Sequence, residues 1–356
     1  MGWPKLICDR SILRENVNAL AALLHAQGKH FAAVTKGFCA AQSIVDMLND
    51  SDCDSLADSR LRNLAAMKTT KPRLLIRPAQ HWEIAEAVEY AEMSVESEIS
   101  TIRLLGEEAA RRGKNHGVLL ALDMGDLREG CYFKNEKDIF QTAEAVLRQP
   151  SLTLCGVGTN LGCFGGVRTT AENMTALAEL AGRIETRFGV HLAYVSGMTT
   201  AAQTLLRSGG MPARVNHGRF GEAWLLGYDS VEGCAVPGMR QDAFTFCAEL
   251  IEIKTKDSKP VGEIGGDAFG HVVIRPDLGP MRRGLLACGA QDVDRDCLVA
   301  EDARVSIIGG SSDHTIVRLD EAPELRVGDE VRFRIGYGAL LRASTSAYVE
   351  KEYIGL

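Results

Sequence analysis

Apolar residues in the first two-thirds of the chain come in short continuous runs, separated by stretches with helical periodicity. Eight runs read as strands: Phe31–Lys36, Asp54–Asp58, Arg73–Pro78, Met93–Glu96, Gly117–Asp123, Thr153–Thr159, Ala193–Ser196 and Arg214–His217. Each is compact and apolar, as expected of parallel strands buried on both faces. Between them, Leu13, Val17, Leu20 and Leu24 share one helical face. Met174, Leu177, Ala181, Ile184 and Phe188 repeat the pattern further along. Eight strands alternating with helices predict an α/β fold, a (β/α)8 TIM-type barrel. The competing assignment, an open doubly wound sheet, normally has fewer strands and a glycine-rich first turn. The first turn here is Thr35-Lys36-Gly37-Phe38, with no G-x-G-x-x-G.

From about Val236 the pattern changes. Val331, Phe333 and Ile335 alternate with Arg332 and Arg334, 304–319 is similarly β-rich, and glycines punctuate the runs. This predicts a smaller C-terminal all-β domain. The boundaries are 1–235 for the barrel and 236–356 for the β-domain, with the first residues free to join the latter.

Composition narrows the class without changing it. A hydrophobic share of 46% and a charged share of 24% are those of a soluble globular enzyme. A net charge of -7 with no basic block argues against nucleic-acid or anionic-membrane partners. No signal-type apolar region opens the chain, and no apolar run reaches the ~18 residues of a membrane helix; a cytoplasmic protein is expected. The ten cysteines contain no C-x-x-C pair and the histidines no zinc-type group, so no metal is expected. The cysteines read as buried, reduced, small hydrophobes.

Chemistry gathers where a barrel keeps its active site, at the C-terminal ends of the strands. Lys36 closes the first strand, where partial desolvation would free its amine for imine formation. A solvated loop lysine is an equal alternative on position alone. After the seventh strand, Ser196-Gly197-Met198-Thr199-Thr200-Ala201 offers small hydroxyl residues at a helix start. These suit a phosphate, and equally a plain helix cap. After the eighth come Arg219, Gly221 and Glu222, with Gly221 permitting close backbone approach. A lysine on strand one with these two loops describes a pocket for pyridoxal 5′-phosphate (PLP).

Ala33-Val34-Thr35-Lys36-Gly37-Phe38-Cys39-Ala40 resembles the lysine motif of fold-type III PLP enzymes, the alanine racemase group, and more closely its ornithine racemase branch. Supporting stretches lie at 56–60, 122–130, 262–270, 310–314 and 336–341, in order along the whole chain. The resemblance implies that Lys36 is the Schiff-base lysine and handles a proton on one face of the substrate α-carbon. It implies that Arg219 donates to the pyridine nitrogen and, being always protonated, keeps that nitrogen unprotonated. It assigns the phosphate to Thr199, Thr200, Gly221, Glu222 and Tyr337. Arg128 falls near the substrate carboxylate, a role suited to bidentate pairing; a structural ion pair with Asp123 or Asp126 is the bland alternative. A homodimer whose β-domain closes the active site is also implied.

One departure matters. The family's second base is a tyrosine from the partner's β-domain, and the matching stretch here, Gly289-Ala290-Gln291-Asp292-Val293-Asp294, has none. His314 and Asp313 are the candidates for that face, with a hydrogen-bonded loop histidine as the alternative. Ser312 and Asp292 are candidate substrate contacts, and Asp267 shares with Asp292 the possible role of accepting a side-chain ammonium. The expected activity is racemisation of an amino acid, ornithine or a related basic one. Alternatives are a lyase or decarboxylase of the same fold, or a non-catalytic PLP-binding protein.

Overall fold

Buried apolar strands that alternate with one-faced helices leave few ways to satisfy every backbone group, and closing the sheet on itself is one. The computed structural model, which describes residues 2–267, 269–272 and 276–356, shows that solution. After a first strand β1 (Lys5–Asp9) come eight parallel barrel strands: β2 (His30–Val34), β3 (Ser55–Asp58), β4 (Arg73–Leu75), β5 (Met93–Glu96), β6 (His116–Asp123), β7 (Leu152–Gly158), β8 (Tyr194–Met198) and β9 (His217–Phe220). Each pairs with the next, β5 with β6 included, and β9 pairs back onto β2 through His217↔His30 and Arg219↔Ala32. The barrel is closed.

Small and branched residues fill it: Ala32, Val34, Ala57, Leu74, Val95, Leu119 and Ala121 form one buried cluster, with Tyr194 packed against it. Glycines on β7 make this possible. A Cβ on Gly156 would stand 2.0 Å from the Tyr194 carbonyl oxygen. The predicted helical faces are buried but for one residue: Leu13, Val17, Leu20 and Leu24 lie in the helix Arg10–His25, and Met174, Leu177, Ala181 and Ile184 in Ala171–Phe188, whose last residue, Phe188, is half-buried.

Several strand ends differ from the sequence expectation, most of them by one or two residues and β4 by three, since it stops at Leu75; two of the differences bear on the site. The last strand starts at His217, not Arg214. Arg214 instead binds Glu185 (2.8 Å) and the Leu192 carbonyl (2.7 Å), and the Asn216 side chain bonds to the backbone at Val195 and Ala193. These side-chain bonds occupy the segment before the sheet begins. At the other end, β2 stops at Val34, and Lys36 enters a 3-10 turn, Lys36–Phe38.

The chain divides into residues 13–241 and a second unit made of 1–12 and 242–356. Residues 236–241 thus stay with the barrel instead of leaving it at 235. Asn16 is the tie: its side chain donates to the carbonyls of Trp224 and Arg240 and accepts from the Arg240 amide. The second unit is built on a 14-residue strand, β10 (Phe244–Asp257), joined by β11 (Pro280–Leu286), β12 (Leu298–Ala300), β13 (Ser306–Gly310), β14 (Thr315–Arg318), β15 (Glu330–Ile335) and β16 (Glu350–Ile354). The sheet order is β12-β15-β10-β11-β14-β13, and β1 adds to β10 antiparallel and to β16 in parallel. This unit is β-rich, not all-β. Tyr337–Thr345 is a helix burying Ala339, Leu340 and Ala343. Its Gly338 hid it from the sequence pattern; a Cβ there would stand 2.7 Å from an Asp294 carboxylate oxygen.

Candidate active site at the barrel mouth

Lys36 owes its place to the turn that follows β2. Cys39 and Ala40 both sit at positive φ (52° and 51°), a conformation non-glycine residues seldom hold, which curls the chain back under the lysine. From outside the barrel, Thr35 donates to Asp58 (2.6 Å), and Asp58 accepts further from the Arg60 amide and the Asn63 side chain. Burial pushes the Asp58 carboxyl up, against those hydrogen bonds. The Lys36 amine is held below its ordinary range, first by burial; Cys163 opposes that shift and Arg128 adds to it.

Arg219 stands on β9, beside β2, and is only 7% exposed. One Nη donates to the Thr159 carbonyl, while its Nε has no partner among the described residues. Burial lowers its pKa to about 10, with Glu129 pulling the other way, so at neutral pH it remains a cation and a donor only. Beneath it, Ser196 and His217 pair at 2.7 Å, and burial lowers the His217 ring to about 3.

The segment after β7 serves both arginines. Thr159 accepts from Arg219, and its own buried hydroxyl lacks a partner. With its amide turned to its donors, Asn160 accepts from Arg128 at 3.0 and 3.2 Å. Cys163 hydrogen-bonds Arg128 and lies within electrostatic range of Lys36 and Arg219. Asp126 fixes this segment by accepting from the amides of Gly162 (3.1 Å), Phe164 (2.9 Å) and Val167 (3.1 Å). Arg128 also pairs with its neighbour Glu129. The ion pair foreseen with Asp123 or Asp126 is not the one formed. Asp123 instead accepts from the amides of Gly125 and Leu127.

Thr199 is buried ahead of a short turn, Thr200–Ala202, and the Thr200 hydroxyl accepts from the Ala223 amide (3.2 Å), linking the loops after β8 and β9. Gly221 precedes the short helix Glu222–Leu226, and a Cβ on it would make only ordinary contact with Val34. The Glu222 carboxyl faces Ser230 and is pushed up by burial, leaving its amide as the group available to a ligand.

The barrel therefore brings together Lys36, Arg128, Thr199, Thr200, Arg219, Gly221 and Glu222. The other sequence-derived residues belong to the β-rich unit. There Asp313 accepts from Gln291 and from Ser312 (2.6 Å), and Asp292, 7% exposed, accepts from the Gly289 amide (2.9 Å). His314 is exposed, and its amide donates to the Ser311 hydroxyl. Tyr337 is half-buried at its helix start. Asp267 is an exposed turn residue accepting from the Phe269 and His271 amides; its neighbour Ala268, within the 262–270 motif, lies outside the described residues.

Residues 8–229 match the family of alanine racemase N-terminal domains. The chain belongs to the alanine racemase family. It is 37% identical to an ornithine racemase of Acetoanaerobium sticklandii over 354 residues, 99% of this chain and 100% of that protein. It is 31% identical to a lysine racemase of Thermotoga maritima, covering 99% of both. Among solved structures, alanine racemase of Clostridium difficile 630 superposes with a TM-score of 0.75 at 17% identity, over 100% of this chain and 97% of that one. A D-threonine aldolase of Filomicrobium marinum reaches 0.74 at 15% identity, over 97% and 89%. These likenesses concern the fold.

The mouth of this racemase-family barrel fits PLP on its own chemistry. A lysine whose amine burial holds below its ordinary range follows β2, the neighbouring strand carries a buried, donor-only arginine with an unused Nε, and the Thr159 hydroxyl is buried without a partner among the described residues. Sequence reasoning missed Asp58, Glu129, Asn160 and Cys163. Glu129 and Asp58 fell inside motifs quoted for other residues. Cys163 was grouped with the buried cysteines, yet it and Cys234 are exposed. The signal was its setting, Gly162-Cys163-Phe164-Gly165-Gly166, directly after a barrel strand.

Proposed function

We propose that the protein interconverts the L- and D-forms of ornithine or a related basic amino acid as a PLP-dependent racemase. The observation that carries this is Lys36, its amine pKa lowered by burial at the mouth of a closed barrel, with Arg219 on the neighbouring strand. When bound, PLP supplies the electron sink that makes the substrate α-proton removable. Lys36 holds the cofactor and moves the proton on one face. Arg219 Nε donates to the pyridine nitrogen. As a cation with no acceptor it leaves that nitrogen unprotonated, which moderates the sink and restrains side reactions.

Thr199, Thr200, the amides of Gly221 and Glu222, and the Tyr337 hydroxyl are assigned to the phosphate. Arg128, steadied by Glu129 and Asn160, is assigned to the substrate carboxylate. Ser312 and Asp292 are assigned to the rest of the substrate. For the opposite face the β-rich unit offers His314 and Asp313, and the barrel offers Cys163. The relatives' names, ornithine and lysine racemase, support a basic substrate. A homodimer and a cytoplasmic location accompany the reading; no helix among the described residues is long and apolar enough to cross a membrane.

The test is incubation of the PLP-loaded protein with L-ornithine, L-lysine, L-alanine and L-serine, followed by chiral chromatography. D-ornithine or D-lysine should accumulate toward equal amounts of both forms, and Lys36→Ala should abolish it. Consumption of ornithine without its D-form would point to a lyase or decarboxylase and overturn the reading.

A further inference from the structure

Racemisation needs two proton carriers on opposite sides of one carbon, and Lys36 is only one of them. The barrel order places the other. Arg219 stands on β9; on one side lies β2, which leads into Lys36, and on the other lie β8 and then β7, which leads into the loop carrying Cys163. A ring held by Arg219 and the loops after β8 and β9 is thus flanked by Lys36 and Cys163. Cys163 is exposed, hydrogen-bonds Arg128, and is within electrostatic range of both Lys36 and Arg219.

The loop is also built to hold it. Three amides flanking Cys163, one before it and two after, are pinned to Asp126, and a Cβ on Gly162 would stand 2.6 Å from Val231. The partnerless Arg219 Nε and Thr159 hydroxyl, both over nine-tenths buried, mark the same mouth as a ligand site. The sequence-derived alternatives are less suited. Asp313 already accepts two hydrogen bonds, and among the described residues no side-chain contact orients His314 toward a task.

We propose that Cys163 is the proton carrier on the substrate face opposite Lys36. In one direction the S–H bond breaks as a C–H bond forms at the α-carbon, the sulfur keeping the electron pair while Lys36 has taken the original α-proton. In the reverse direction the thiolate takes the α-proton, the pair stays with the substrate, and Lys36 returns a proton to the other face. The Arg128 guanidinium hydrogen-bonds the sulfur and fixes its place in the mouth.

The inference rests on the racemase reading, and the test separates them. Cys163→Ala should lower racemisation by ~100-fold or more, the scale of a lost acid–base group, while binding PLP normally. In deuterium oxide this variant should still exchange the α-hydrogen of one ornithine enantiomer and lose exchange of the other. Independently of turnover, mass spectrometry should find Cys163 alkylated by iodoacetamide in the free protein and protected when ornithine is bound. Cys234→Ser, an exposed cysteine outside the cluster, should change nothing. Racemisation by Cys163→Ala within threefold of the wild type, equal loss of exchange from both enantiomers, or alkylation indifferent to ornithine would each overturn the inference. An inactive wild type would instead overturn the racemase reading.

Discussion

Burial acts on Lys36 and Arg219 in the same direction and leaves them in different states. The amine of Lys36 is brought closer to its neutral, nucleophilic form, whereas Arg219, at about 10, stays charged and keeps donating. Arg219→Lys therefore separates charge from geometry. One ammonium cannot both serve the Thr159 carbonyl and replace the guanidinium donor proposed for the ring nitrogen. A hydrogen bond to a charged group is worth about 1.5–3 kcal/mol, so fluorescence titration should show PLP binding weakened by ~10–100-fold. Unchanged affinity would remove Arg219 from the cofactor site. Two buried groups govern stability against pH with opposite signs. Burial raises Glu96 from 4.5 to about 7, so its favourable contribution is complete below 4.5 and is lost as pH rises through 7. Burial lowers His217 from 6.5 to about 3, so its contribution is present above 6.5 and fades as pH falls toward 3. Glu96→Gln should then raise the melting temperature at pH 8 and have little effect at pH 4.5. An equal shift at both values would contradict the assignment.

Elements show which parts of this arrangement the chain announces. Periodicity located the helices Arg10–His25 and Ala171–Phe188 because their buried residues recur on one face, and the eight apolar runs located the barrel strands because both faces are covered. Their ends were hidden. Nothing local distinguishes Arg214-Val215 from a strand until Glu185 is seen to take the arginine. The Lys36 motif and the loops at Thr199 and Gly221 were legible because each sits where a strand ends. Cys163 was not, because its setting depends on Arg128, which hydrogen-bonds it, and on Asp126, which holds the amides around it, both in the loop after another strand. Gly156 tests the packing directly. Gly156→Ala puts a Cβ against the Tyr194 backbone, which cannot rotate away. Urea unfolding should show a loss at the upper end of the overpacking range, about 3 kcal/mol, and a loss under about 0.5 kcal/mol, the scale of an ordinary surface change, would mean that β7 and β8 are not held in this register.

At the scale of the whole molecule, the chain begins and ends in the same unit. β1 pairs with β10 through Lys5↔Cys247 and with β16 through Lys5↔Glu350. Removing residues 1–9 would leave both strands with an unpaired edge and take the buried Leu6 and Cys8 out of the core of this unit. The shortened chain should lose hydrogen-exchange protection along 244–247 and 350–354 while the barrel amides of β2 to β9 keep theirs. Retained protection at those strands would show that β1 is dispensable. The barrel itself concentrates cations and the Cys163 thiol at its mouth, and every role proposed there depends on the cofactor being anchored at one side chain. Borohydride reduction of the PLP-loaded protein, followed by peptide mapping, tests that anchor most directly. The pyridoxyl adduct should be found on the peptide containing Lys36 and on no other lysine; an adduct elsewhere, or none, would contradict the account.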